Sequence, residues 1–174
     1  MKKPKNLLEY NLSKGHNLKP ANSPIKPSEL KWLKSCTLLG EIFSTCSRRK
    51  YFAVILAENG RISGVGYNGA LPNLKHCVDG GCPRAFTDVE HGSNYDNCVA
   101  VHAEANALLW SDRNMRQNGT LIINGPPCYS CAKLIATSGI KKVLCLKDEE
   151  YKNFDQVEQL FEQSGILLGV IDEI

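Results

Sequence analysis

Two short motifs between residues 101 and 131 constrain this chain more than any other feature. The first is His-Ala-Glu at 102–104, and the second is Pro-Cys-Tyr-Ser-Cys at 127–131. If a helix begins near Pro127, Cys128 and Cys131 lie on one face of its first turn, where the positive helix end favours thiolates. The fold therefore has to bring one imidazole and two thiolates together.

The side chains of His102, Cys128 and Cys131 form a ligand set that suits zinc. Three protein ligands leave the fourth tetrahedral position open, which is typical of a catalytic site. Zinc lowers the pKa of a bound water from about 16 to about 7. Because Glu104 lies two residues beyond the histidine, on a helix it would point elsewhere and is better suited to carrying protons than to binding the metal. A structural zinc site with an incidental glutamate is the alternative.

Longer matches extend these motifs into a family resemblance. His-x-Glu followed by Pro-Cys-x-x-Cys is the signature of zinc-dependent nucleobase deaminases. The segments Gly-Tyr-Asn-Gly at 66–69 and His-Ala-Glu-Ala-Asn-Ala at 102–107 look like those of the deoxycytidylate (dCMP) deaminases of bacteria and phages, over roughly residues 41–174. The resemblance implies hydrolysis of dCMP to dUMP and ammonia on the way to thymidylate. It makes Glu104 the catalytic residue that carries protons from water to ring N3 and to the departing amino group.

The resemblance also implies a set of substrate-binding residues. An asparagine after the first hairpin holds the sugar, although turn chemistry is an alternative explanation for it. A serine and an arginine after the first helix lie near the 5′-phosphate, an alanine between the two motif residues contacts the substrate, and an aromatic residue lies over the base. At these positions the chain has Asn68, Ser47, Arg48, Ala103 and Tyr151.

Eight cysteines are many for a cytosolic chain, where metal binding or burial is favoured over disulfides. The resemblance implies a second, structural zinc that would fasten the long loop at 68–97, which has no sustained periodicity. Buried free thiols are the alternative. The candidate ligands are Cys46, Cys77, Cys82 and Cys98, with His76 or His91 as substitutes.

Other cytosine substrates, namely CMP, cytidine or a modified dCMP, and editing of RNA or DNA are competing interpretations. A non-enzymatic zinc protein is a third. Residues 1–34 carry eight Lys against two Glu, a balance of +6, whereas the remainder carries 13 basic and 16 acidic residues, a balance of −3. Because the body is acidic and its aromatic residues do not cluster, we do not expect nucleic-acid binding.

The length of 174 residues fits one deaminase domain, expected at 28–174, after a basic, proline-containing extension at 1–27. No run approaches the ~18 apolar residues of a membrane span, and no apolar signal block follows the start. We therefore expect a cytoplasmic protein without a membrane partner. The resemblance further implies a homo-oligomer of hexamer or trimer type, with dCTP and dTTP as candidate effectors.

Hydrophobic periodicity predicts the order of the elements. Helices are expected at 28–46, 97–110, 128–138 and 153–164, and strands at 51–57, 62–67, 119–124, 142–146 and 166–171. An opening hairpin followed by helix–strand alternation indicates an α/β fold, a three-layer α/β/α sandwich around a central five-stranded mixed sheet. The cytidine-deaminase-like fold that the resemblance implies has this order of elements.

Overall fold

A computed structural model describes residues 25–84 and 97–174. Its strands are β1 Phe52–Leu56, β2 Ile62–Tyr67, β3 Gly69–Ala70, β4 Ala100–Val101, β5 Thr120–Ile123, β6 Lys142–Leu146 and β7 Leu167–Ile171. Five of them form a sheet in the order β2-β1-β5-β6-β7, while β3 pairs with β4. β1 is antiparallel to both of its neighbours, and β5, β6 and β7 run parallel. The predicted five-stranded mixed sheet is confirmed.

Helices cover both faces of this sheet. They are α1 Pro27–Phe43, α2 Ala103–Leu109, α3 Arg113–Arg116, α4 Tyr129–Thr137 and α5 Phe154–Gln163. α1 packs on one face, and α2, α4 and α5 pack on the other. This arrangement is the predicted α/β/α sandwich.

Alternation along β1 divides the core between the two layers, because successive strand side chains point to opposite faces. Phe52 and Val54 pack with Leu33 of α1. Ala53 and Ile55 belong to the opposite cluster, which contains the buried residues of α2, α4 and α5. The two helices that begin at the sequence motifs therefore lie together on one face of the sheet.

The helix predicted at 97–110 begins later than expected, at Ala103. The preceding residues Ala100–Val101 form β4 instead, because they pair with β3 across the long loop. His102 then has extended backbone angles as the N-cap of α2, and its carbonyl accepts a hydrogen bond from the Asn106 N–H at 3.0 Å. The motif histidine consequently precedes the helix and does not belong to its face.

The predicted boundary between the N-terminal extension and the domain, at residue 27, stays a prediction, since residues 1–24 lie outside the described part of the chain. Ile25 is fully buried and packs in the same cluster as Leu33. Within residues 25–84 and 97–174, no helix has the length and apolar character needed to cross a membrane.

Candidate active site

The three predicted zinc ligands converge at the starts of two helices. His102 is the N-cap of α2, Cys128 is the N-cap of α4, and Cys131 lies in the first turn of α4. His102 Nδ1 lies 3.4 Å from Cys128 Sγ and 3.5 Å from Cys131 Sγ. Among the described residues, these form the only group of three or more His, Cys, Asp or Glu whose ligand atoms lie within 4.8 Å of one another. All three atoms can therefore reach a single ion.

The chemistry of this donor set fits zinc. A hydrogen bond with Cys131 lowers the pKa of Cys128 to about 4, although burial opposes the shift. Burial by itself lowers the pKa of His102, but hydrogen bonds with Cys128 and Cys98 raise it to about 11. At neutral pH His102 therefore holds a proton that a cation would displace on binding, whereas Cys128 is already a thiolate. Imidazole and thiolate are the ligands that zinc prefers in proteins.

Glu104 is buried beside the ligand set, in the first turn of α2, with 3% of its surface exposed. Burial raises the pKa of its carboxyl to about 7, and the charge of His102 opposes that shift. The carboxyl also hydrogen-bonds the side chain of Cys131. A buried carboxyl group that titrates near neutrality can both accept and return a proton.

A cavity of about 280 Å³ opens beside these residues. His102, Glu104 and Cys128 line it, together with two of the predicted substrate-binding residues, Asn68 and Arg48. The metal ligands, the buried carboxyl group, an amide and a guanidinium therefore face one space.

The other three predicted substrate residues lie off the described cavity lining. Ser47 is exposed, and Ala103 is fully buried as the first residue of α2. Tyr151, expected over the base, is buried in the core cluster, and its ring lies edge-on to Phe154 at 6.5 Å. The tyrosine on the cavity wall is Tyr51. Substrate contacts of these three residues stay predictions.

Asn68 supports the cavity wall with its side chain. Its Oδ1 accepts hydrogen bonds from the Tyr51 N–H at 2.9 Å and from the Ser44 hydroxyl. Its Nδ2 donates to the Arg49 carbonyl at 2.9 Å. Three of the four hydrogen-bonding positions of the amide are thus used to hold the segment after α1. Asn68 is therefore more than a turn residue: its buried side chain holds the segment after α1 by hydrogen bonds, and it also borders the cavity.

The two longer motifs are joined by close packing of α2 on β2. Asn106 Nδ2 donates to the Tyr67 carbonyl at 2.8 Å. A Cβ at Gly66 would lie 2.3 Å from the Ala107 nitrogen and 2.4 Å from the Ala103 carbonyl oxygen, so only glycine allows this approach. The Gly-Tyr-Asn-Gly motif therefore fixes the position of the helix that carries Glu104.

The four cysteines proposed for a second metal lie in one region. Burial, followed by contact with Cys82 and the proximity of Cys46 and Cys98, raises the pKa of Cys77 to about 12. Cys46, Cys82 and Cys98 also line the cavity. Within the described residues, their sulfurs do not form a group as close as the His-Cys-Cys set.

Of the two histidines proposed as substitute ligands, His76 lies within the described residues. His76 Nδ1 is buried and has no hydrogen-bond partner within residues 25–84 and 97–174. His91 lies outside the described residues. A buried nitrogen next to Cys77 in sequence is compatible with a ligand role.

The sequence predictions missed three cavity residues with polar side chains: Arg49, Tyr51 and Arg84. Arg84 lies in the long loop at 68–97, which has no hydrophobic periodicity from which the position of a side chain could be predicted. One signal was present, since Cys-Ser-Arg at 46–48 and Cys-Pro-Arg at 82–84 repeat the same spacing.

The fold and the site together define a zinc-dependent hydrolytic deaminase, with its His-x-Glu and Pro-Cys-x-x-Cys motifs at adjacent helix starts on one face of an α/β/α sandwich. The sequence model of the cytidine and deoxycytidylate deaminase zinc-binding region matches residues 26–147. The chain belongs to this family of deaminases.

Individual relatives agree with this assignment. The deoxycytidylate deaminase of Mycobacterium phage D29 is 42% identical over 110 residues, which are 60% of this chain and 84% of the relative. That of Saccharomyces cerevisiae is 32% identical over 143 residues, 82% of this chain but only 44% of the yeast protein. A crystal structure of cyanophage S-TIM5 dCMP deaminase with dCMP and dUMP matches with a TM-score of 0.64 and 24% identity, covering 84% of this chain and 99% of the other. This last likeness confirms the cytidine-deaminase-like fold.

Proposed function

We propose that this protein is a zinc-dependent dCMP deaminase that converts dCMP into dUMP and ammonia. The observation that carries the proposal is the buried Glu104 beside a close His-Cys-Cys set, on the wall of a cavity that is also lined by arginines. The relatives that carry the name deoxycytidylate deaminase support the choice of base and sugar. A zinc site with a purely structural role has no use for a buried carboxyl group at this place.

The residues of the site divide the chemical work. His102, Cys128 and Cys131 would hold zinc, which when bound would act as the Lewis acid that activates a water molecule. Glu104 takes the proton from that water, delivers it to ring N3 and then assists protonation of the amino group that leaves. Its burial keeps the carboxyl group within the cavity and away from bulk solvent.

Two further residues favour a nucleotide over other cytosine compounds. Arg48 lines the cavity, and a guanidinium matches the geometry of a phosphate. Asn68 borders the same space with one hydrogen-bonding position beyond those that hold the chain, enough for one sugar hydroxyl. We assign Arg48 to the 5′-phosphate and Asn68 to the deoxyribose.

Comparison of four substrates tests the proposal. Zinc-loaded protein is given dCMP, CMP, deoxycytidine and dCTP at equal concentrations, and ammonia release and the ultraviolet change are followed. We expect strong preference for dCMP. Preference for CMP or for the nucleoside would move the assignment to another cytosine compound, and inactivity on all four would reject it.

We further propose a second, structural zinc held by Cys46, Cys77, Cys82 and Cys98. Their shared location supports it, together with the buried nitrogen of His76 next to Cys77. Closed thiolate sites of this kind add stability to loops that lack a hydrophobic core of their own. Homo-oligomerisation, regulation by dCTP and dTTP and a cytoplasmic location stay predictions.

A further inference from the structure

Arginine is concentrated at the active-site cavity. Three of the six arginines in the chain, Arg48, Arg49 and Arg84, line it. The body of the chain after residue 34 is acidic overall, with 13 basic residues, these three arginines included, and 16 acidic residues. Glu104 is the only carboxylate among the described lining residues. The wall of the cavity is therefore suited to an anion in addition to the reacting base.

Arg84 is the buried member of this group, with 6% of its surface exposed. A guanidinium stays charged in proteins, and removing it from water is costly. Arg84 hydrogen-bonds Cys98, and Cys98 hydrogen-bonds His102. The guanidinium is therefore separated from the zinc-binding imidazole by a single cysteine side chain, which keeps it close to any substrate in the cavity.

Arg48 and Arg84 are held next to each other. Arg48 Nη1 donates a hydrogen bond to the Arg84 carbonyl at 3.1 Å. Arg49, in contrast, forms an ion pair with the exposed Glu150. Its charge is therefore directed toward a surface carboxylate, and the other two arginines are the pair best suited to share one ligand.

The same local sequence pattern precedes both arginines of this pair. Each follows a cysteine of the cysteine-rich region by two residues, in Cys46-Ser47-Arg48 and in Cys82-Pro83-Arg84. The Arg48 N–H donates to Cys46 Sγ at 3.5 Å, and both cysteines also line the cavity. The segments that contain Cys46 and Cys82 thus both contribute a guanidinium group to the cavity wall.

We propose that Arg84 binds the 5′-phosphate of the nucleotide together with Arg48, and that Arg84 is the main determinant of preference for a monophosphate over a nucleoside. The inference rests on the proposed function and adds a residue that no motif assigns. A planar guanidinium can donate two parallel hydrogen bonds to phosphate oxygens, and such charge-assisted bonds gain strength in a buried site. A solvent-exposed arginine such as Arg48 would contribute less.

The test compares phosphorylated and unphosphorylated ligands on zinc-loaded Arg84→Gln, Arg84→Lys and the matched control Arg61→Gln, which removes an exposed arginine in the β1–β2 turn. The affinity for dUMP and for deoxyuridine is measured by titration calorimetry, and kcat/KM is measured for dCMP and deoxycytidine. For Arg84→Gln we expect about 10- to 100-fold weaker dUMP binding and dCMP turnover, the size of a lost charged hydrogen bond. The values for the two nucleosides should stay close to those of the unsubstituted protein.

Arg84→Lys should recover part of the loss, because it keeps the charge and loses the planar fork. It also decides the outcome if the glutamine variant does not fold. Equal losses on nucleotide and nucleoside, or loss of zinc measured by mass spectrometry, would identify Arg84 as a support of Cys98 and His102 and overturn the inference. Unchanged dUMP binding would overturn it as well. An unsubstituted protein that neither binds dUMP nor deaminates dCMP would instead refute the proposed function.

Discussion

Asn68 and Tyr51 are joined by two hydrogen bonds in opposite directions. The Tyr51 N–H donates to Asn68 Oδ1 at 2.9 Å, and the Asn68 N–H donates to the Tyr51 carbonyl at 3.2 Å. Both residues line the cavity. The asparagine therefore shapes the wall on which Tyr51 lies, and any contact that it makes with the sugar depends on that same network.

Substitution of Asn68 by alanine should lower both stability and activity. It removes the side-chain partners of the Tyr51 N–H and the Arg49 carbonyl, so we expect the free energy of unfolding to fall by about 2–3 kcal/mol. Asn68→Asp keeps the acceptor for the Tyr51 N–H but places a carboxylate oxygen against the Arg49 carbonyl, so it should not recover the loss. Urea unfolding of zinc-loaded protein measures the change, and the exposed Asn114→Ala is the control. Equal stability of the Asn68→Ala and Asn114→Ala variants would contradict the role of Asn68 in holding the segment after α1.

Glu104→Gln should abolish turnover while keeping the fold and the zinc. The amide has nearly the same shape as the carboxyl group but cannot accept and return a proton, so kcat for dCMP should fall about 10²- to 10⁴-fold. Stopped assays of deamination are compared with zinc content and melting temperature. The exposed Glu58→Gln, in the β1–β2 turn, should behave like the unsubstituted protein. Substantial activity of Glu104→Gln would remove the proposed proton carrier.

Much of the fold could be predicted because the sheet is built from continuous apolar runs. The residues of β1 are all buried, which is why the run at 51–57 is continuously apolar and could be predicted as a buried strand. The start of α2 could not be predicted in the same way. β4 exists because it pairs with β3 across about 30 residues, and such a pairing leaves no local pattern.

The residues of the candidate site also fall into two groups, those that local spacing predicts and those that depend on tertiary contacts. His102 and the two cysteines 128 and 131 are found by spacing, because their geometry follows from helix starts. Arg84 and Tyr51 become cavity residues only when distant segments meet. Tyr151, expected over the base, is buried in the core, where its ring lies edge-on to Phe154. Residues whose role depends on tertiary contacts thus escape motif analysis.

Metal content should distinguish the two proposed zinc sites. We expect about two zinc ions per chain in the fully loaded protein, one in each set of ligands. Cys131→Ser should lose one ion and all activity, whereas Cys77→Ser should lose the other ion and retain the catalytic one. Mass spectrometry of exhaustively dialysed protein gives the ratios. A ratio near one in fully active protein would exclude the second site, and the cysteine-rich region would then consist of buried thiols.

Removal of the catalytic ion should be reversible and should separate zinc binding from folding of the sheet. The His-Cys-Cys set joins only the starts of α2 and α4. Cys128 and Cys131 belong to the core cluster on that face of the sheet, but the cluster on the opposite face contains none of the three ligands. A strong chelator should therefore stop deamination, and added zinc should restore it, while far-ultraviolet circular dichroism stays largely native. Loss of the helical signal together with the metal would instead show that zinc is required for the fold.

Gly66→Ala should lower activity by displacing α2, the helix that carries Glu104, from β2. The added methyl would meet the Ala107 nitrogen and the Ala103 carbonyl at distances that no real Cβ tolerates, so the helix must move away from β2. Overpacking of this kind costs about 1–3 kcal/mol. Because α2 carries Glu104 in its first turn and His102 at its N-cap, both kcat and zinc affinity should fall. We expect the larger effect on kcat, since the two ligands on α4 stay in place.

Val65→Thr provides the matched control for this change. Val65 is the neighbouring residue of the same strand, but its side chain points to the opposite face and is partly exposed. Its substitution should leave kcat unchanged, because no part of α2 lies against it. If Gly66→Ala unfolds at the same urea concentration as Val65→Thr and deaminates dCMP at the same rate, close packing of α2 on β2 does not position Glu104, and the Gly-Tyr-Asn-Gly motif needs another explanation.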